Sequence, residues 1–143
     1  YRDHMLDFTR PYPGVQEALD RLREAGVKLS VLTNKPVRFS TEMIGRLGLA
    51  EHFFQIYGGN SFPEKKPNPV GIEKLLTESR VLRERAMMVG DSAVDIRTAR
   101  NARIRACGVT YGFQPETFTD EPPDVLVDRM GELADLAIDR GRG

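Results

Sequence analysis

The chain has 143 residues, long enough to bury a core and too short for two ordinary domains. Its 21 basic and 21 acidic residues cancel to a formal net charge of zero, which argues against a bulk pull toward nucleic acid or an anionic membrane and leaves small ligands as the expected partners. The single cysteine, Cys107, excludes an internal disulfide and points to a reducing, cytoplasmic setting, and no apolar stretch approaches the ~20 residues of a membrane helix.

In chain order, Pro13 with Gly14 opens a helical pattern that places Val15, Leu19 and Leu22 on one face and closes at Gly26. A strand is predicted over 28–32, followed by Pro36 as a first-turn proline and a helix with Met43, Ile44 and Leu47 inward. The apolar run Phe53 to Tyr57 reads as a second strand. Asn68 as cap and Pro69 open a helix marked by Ile72, Leu75 and Leu76. Ala86 to Val89 and Ile104 to Tyr111 read as buried strands, Gln114 to Pro123 as one surface loop, Asp124 to Val127 as a weaker fifth strand, and the terminal GRG as a frayed tail. This alternation argues for an α/β fold, a doubly wound and mostly parallel sheet covered on both faces.

In such a sheet, ligands bind beyond the carboxyl ends of the strands, so the polar residues at those ends are the candidates. Thr33 ends the run LSVLT and precedes Asn34, Lys35 and Pro36 at the mouth of a helix. Its hydroxyl, with free backbone N–H groups and the positive end of the helix dipole, suits a phosphate oxygen. A helix cap is the commoner use of such a hydroxyl, and a lone TN is a weak signal. Lys66 stands in PEKKPNP, where flanking prolines hold the segment extended. A fixed ammonium there would offset phosphoryl charge, although neighbouring Lys65 competes for the role.

The segment MMVGDSAVD carries the strongest single signal. Gly90 permits a sharp exit from a buried strand, and Asp91 then puts a carboxylate at the sheet edge, where an oxygen-seeking cation could sit. An unsupported carboxylate ending an apolar strand is costly unless a cation or donors compensate it. Asp95 would fall in the first turn of the following helix. Two uses stand open for it, metal work at the same edge or a capping box with Ser92.

The runs VLTNKP, KKPNP and VGDSAVDIRTARNA, with YPGVQEALDRLREAG before and GVTYGF after, resemble the haloacid-dehalogenase-like hydrolases, and within them the phosphoglycolate-phosphatase-like group, over roughly Tyr12 to Leu133. The resemblance implies a Rossmann-like core, a magnesium cofactor and a small phosphorylated metabolite as substrate, attacked by an aspartate to give an aspartyl phosphate that water hydrolyses. It implies that Thr33, with Asn34, binds the transferring phosphoryl group, that Lys66 steadies phosphate and nucleophile, and that Asp91 and Asp95 are the acidic metal positions.

The family's first motif, an aspartate pair spaced D-x-D after an apolar strand, does not occur in these 143 residues; Asp3 and Asp7 lie in a polar segment. With Tyr rather than Met at position 1, the sequence reads as a piece of a longer protein: 1–10 as the end of a cap or linker and 11–143 as a partial hydrolase core without its central first strand. Such a piece is expected to be inactive alone and to offer exposed strand edges for self-association. Arg103 is a smaller departure, standing where the resemblance leads one to expect glycine. Rival readings are a non-catalytic binding module of the same fold, and a related phosphomutase or dehalogenase. The order Thr, Lys, Asp argues against a phospho-receiver, and Gly58 with Gly59 does not extend to G-x-G-x-x-G.

Overall fold

A computed structural model of the protein describes residues 15–110 and 122–142. Pro13 and Gly14, the expected cap or linker remnant at 1–10, Tyr111 and most of the Gln114 to Pro123 loop lie outside the described residues. The elements are α1 (Val15–Glu24), β1 (Leu29–Leu32), α2 (Val37–Arg46), a 3-10 turn (Ala50–His52), β2 (Phe53–Tyr57), α3 (Val70–Ser79), a second 3-10 turn (Arg83–Arg85), β3 (Met87–Gly90), α4 (Ala93–Ala102), β4 (Arg105–Val109), β5 (Val125–Val127) and α5 (Met130–Arg142). The strands fall within a residue or two of their expected bounds. No described helix is long and apolar enough to cross a membrane.

These elements form two compact units, one running up to Ser61 and resuming at Arg129, the other from Phe62 to Asp128. In the first, β1 and β2 pair in parallel, with Ser30 opposite Gln55 and Leu32 opposite Tyr57. The α1 stripe of Ala18, Leu19 and Leu22 packs with Ile44, Leu49 and Ala134 into the buried core of this unit. Burying each of the leucine and isoleucine side chains contributes about 1.5–3 kcal/mol, and each alanine methyl less. The terminal helix α5 packs against α1, joined at its surface by an ion pair between Arg21 and Asp135. The tail expected to fray instead continues α5 through Gly141 and Arg142, because Leu133, Ala134, Ala137 and Ile138 give that segment an apolar stripe at helical spacing.

In the second unit, β3, β4 and β5 are parallel in that order, with Met87 opposite Arg105 and Cys107 opposite Val125. Ile96, Ala99 and Ala102 of α4 are buried, and α4 packs on β3 and β4. Cys107 is fully buried, and desolvation pushes its thiol up to about 11, so it serves as a small apolar core residue rather than a nucleophile. Among the described residues β1 and β3 each pair with one strand only. Val89 of β3 is 41% exposed, although the strand reads as an apolar one.

Two local features have thermodynamic consequences. Arg103 closes α4 at φ 60, ψ 40, and Ile104 N–H reaches the Ala99 carbonyl at 3.0 Å. The turn is therefore the left-handed one that glycine would make, held by a residue that pays for its Cβ. Asp124 bonds to Ala106 twice, accepting its N–H on Oδ2 at 2.8 Å and donating its own N–H to the Ala106 carbonyl at 2.9 Å. The Ala106 N–H, assisted by Arg100, holds the Asp124 carboxyl below the usual carboxylate range.

Arg103→Gly should raise stability by about 0.5–1 kcal/mol, seen as a higher urea midpoint with an unchanged slope. A depressed carboxyl stabilises the fold fully above its unfolded-state value and loses that contribution as pH falls through the folded one. Asp124→Asn should accordingly lower Tm at pH 7, with the gap from the parent protein closing below about pH 4 in thermal melts.

Candidate active site

Lys66, Asp91 and Asp95 are brought together in the second unit. The Lys66–Pro67 peptide is cis, and Asn101 Nδ2 donates to the Pro67 carbonyl at 2.8 Å. Lys65 is exposed, whereas Lys66 is 8% exposed. Lys66 Nζ donates to Asp95 Oδ1 at 2.6 Å, both side chains being almost wholly buried. Downstream, Asn68 Oδ1 accepts the Val70 N–H at 2.9 Å, so Asn68 caps α3 as expected but from one position further out, Pro69 being the residue that borders the helix.

Asp95 lies in the first turn of α4, and its second oxygen accepts the N–H of Asp91 at 3.0 Å. Both carboxylate oxygens are thus committed, one to Lys66 and one to the strand end. The capping box does not form: Ser92 borders the helix at φ −153, ψ 168 and its side chain makes no cap bond, because Asp95 turns back past it to the Asp91 amide. This close return explains Gly90. A Cβ on that residue would lie 2.1 Å from Asp95 Cβ, and the clash is with the root of the side chain rather than its movable end.

Asp91 is 7% exposed at the end of β3. No group of three or more His, Cys, Asp or Glu that could hold a metal occurs among the described residues. Magnesium needs fewer from the protein, since it is commonly held by one or two carboxylates and completes its octahedron with water and phosphate oxygens. The all-oxygen donor chemistry of Asp91 fits such an ion, and Asp95 supports the same strand end through its bond to the Asp91 amide.

Thr33 and Asn34 belong to the first unit. Thr33 is 1% exposed; its N–H donates to the Tyr57 carbonyl at 3.1 Å, extending the β1–β2 pairing, and its Oγ1 accepts the Lys35 N–H at 3.2 Å. As acceptor to Lys35, the hydroxyl keeps its proton for a second partner. Pro36 borders α2 rather than entering its first turn, and the cap comes from a distance: Asn60 Oδ1 accepts the Val37 N–H at 2.9 Å.

Sequence reasoning missed the loop after β2. Gly59 N–H donates to the Lys35 carbonyl at 2.7 Å and Gly58 N–H to Ser61 Oγ at 2.9 Å. A Cβ on Gly58 would stand 2.2 Å from Val37 N, and one on Gly59 would stand 2.0 Å from the Asn34 carbonyl oxygen. These glycines let two backbones touch and so shape the Thr33–Val37 turn. The signal available was the pair GG directly after a strand, read only against a nucleotide-binding pattern.

The described fold is thus a parallel α/β core that carries a buried lysine–carboxylate pair beside the end of β3 and, in the other unit, a buried threonine after β1. The family model described as haloacid dehalogenase-like hydrolase matches residues 1–109, and the chain belongs to that family. Among curated relatives it is similar to phosphoglycolate phosphatase of Vibrio parahaemolyticus, 40% identical over 126 residues that cover 87% of this chain and 55% of the relative. The corresponding enzyme of Vibrio vulnificus is 38% identical over 128 residues, 89% of this chain and 56% of the relative. The chain therefore spans little more than half the length of these relatives. Among solved structures, a predicted phosphoglycolate phosphatase from Haemophilus somnus superposes with a TM-score of 0.85 at 30% identity, over 93% of this chain and 60% of that one. A HAD-superfamily hydrolase from Geobacter sulfurreducens gives 0.74 at 25% identity, over 87% and 59%.

Gly90→Ala should displace Asp95 and destabilise the protein by about 1–3 kcal/mol in urea unfolding. Lys66→Met, which leaves the buried Asp95 carboxylate without its counter-charge, should cost about 3–5 kcal/mol; a loss below 1 kcal/mol would show that the pair is solvated and not structural.

Proposed function

We propose that the intact protein is a magnesium-dependent phosphatase acting on a small phosphomonoester such as 2-phosphoglycolate, and that this chain supplies its phosphate- and metal-holding part. The observation that carries the reading is the buried Lys66–Asp95 pair bonded on to the amide of Asp91 at a strand end. A buried ion pair seldom adds net stability over apolar packing, so its presence beside a further buried carboxylate favours a site that must handle charge. The names of the similar relatives, phosphoglycolate phosphatases, support the substrate class.

In this reading the Lys66 ammonium, held in place by Asp95, faces the charge of the phosphoryl group and of the attacking carboxylate. Thr33 donates its hydroxyl proton to a phosphoryl oxygen, with Asn34 beside it. Asp91 would hold the magnesium ion, and Asp95, with its oxygens on Lys66 Nζ and the Asp91 amide, would keep both in register. The ion, when bound, neutralises phosphate charge and orients the phosphoryl group for in-line attack.

The attacking carboxylate forms a bond to phosphorus as the ester P–O bond breaks, and the departing alkoxide takes a proton from a general acid of the intact protein. Water then hydrolyses the acyl phosphate to inorganic phosphate and restores the carboxylate. No D-x-D follows an apolar strand in these 143 residues, so that carboxylate has to come from elsewhere in the intact protein and this chain by itself should not turn over.

The intact protein should hydrolyse 2-phosphoglycolate and an aryl phosphate with magnesium, and excess EDTA should abolish both; undiminished turnover in EDTA would sink the metal assignment. Asp91→Asn should lower kcat by about a hundredfold or more while circular dichroism and Tm stay close to the parent's.

A further inference from the structure

The turn at 65–68 carries Lys66 and is bonded to α4 by two of its groups. Lys66 Nζ donates to Asp95 Oδ1 at 2.6 Å, and the Pro67 carbonyl accepts from Asn101 Nδ2 at 2.8 Å. Within the turn the Asn68 N–H donates to the Lys65 carbonyl at 2.9 Å, and Pro67 and Pro69 restrict the backbone on either side of Asn68. These local constraints set the shape of the turn. Where it stands over α4 depends on the bonds that leave it.

The two bonds to α4 differ in what the reaction asks of them. The ammonium of Lys66 has to answer the charge of the phosphoryl group, so its bond to Asp95 is shared with the chemistry. The Pro67 carbonyl has no such duty. Asn101 reaches it from the last turn of α4, where Ala102 is fully buried and its carbonyl accepts Arg83 Nη1 at 2.7 Å, so the amide stands on a fixed base. Asn101 itself is exposed, and filling the core is not its task. We infer that Asn101 is a positioning residue for Lys66, holding the main chain one residue beyond the lysine so that the ammonium can lean toward the phosphoryl group without the turn moving with it. The inference rests on the phosphatase reading and adds to it a residue outside the charged cluster. A shift of about 1 Å at a reacting centre can lower a rate by about a hundredfold, so a modest bond at the right place has a large lever.

The test measures kcat and KM of the intact enzyme on an aryl phosphate with magnesium, together with the urea midpoint of each variant. Asn101→Leu, which keeps the volume and removes the donor, should lower kcat by about tenfold and move KM by less than about twofold, since Thr33 and Asn34 still bind the ester. Asn101→Gln keeps a donor amide and should recover most of that loss, whereas Asn101→Asp, similar in shape but acceptor-only when ionised, should not. If Asn101→Leu fails to fold, the comparison of Asn101→Gln with Asn101→Asp carries the same test. A kcat within about twofold of the parent's in the donor-free variants, or a loss that Asn101→Gln shares in full, overturns the positioning role and leaves the phosphatase reading intact. A parent enzyme without turnover overturns that reading and the inference with it.

Discussion

The contact between Lys66 and Asp95 sets the terms for its whole surroundings. Two opposite charges 2.6 Å apart with almost no exposure can persist only if their remaining hydrogen-bonding capacity is met. Asp95 meets its own by taking the Asp91 amide, which obliges α4 to begin immediately after the strand and the chain to fold back on itself. That return leaves no room for a side chain at residue 90. One ion pair thereby fixes where β3 stops, where α4 starts and what the last residue of the strand can be.

The same pair shows why some contacts of the candidate site are legible in the sequence and others are not. Asp91 and Lys66 announce themselves locally, one as an acid ending an apolar strand and the other as a lysine between prolines. The role of Asp95 depends on a residue 29 positions away, and sequence spacing alone left metal binding and capping equally open. The cap of α2 is similar: Pro36 and Thr33 suggested a helix start, but the accepting oxygen belongs to Asn60, 23 positions on from Val37. Strand positions were legible from their short runs of β-branched and apolar residues, although only β4 is mostly buried. Helix α5 was not, since its apolar stripe is short and broken by charged residues, and only its packing against α1 gives it away.

Arg103 teaches a different lesson about reading residues for backbone. A glycine was expected from resemblance and an arginine stands there, yet the turn keeps φ 60 and the carbonyl bonds of a left-handed helix end. Arg80 does the same at the end of α3, with φ 59. The conformation is imposed by helix termination and the return into the next strand, and the side chain merely tolerates it. Residue identity at such a position reports strain, whereas at Gly90 it reports an excluded volume.

The touching backbones at Gly58 and Gly59 bear on how this kind of site can diversify. Where two main chains meet without side chains between them, the geometry of the Thr33–Val37 turn is inherited as a unit and offers natural variation nothing to adjust by small steps. Any substitution there moves the whole turn at once. The outward-facing side chains of the turn can be exchanged without touching that frame, whereas a side chain at either glycine cannot be added without moving it.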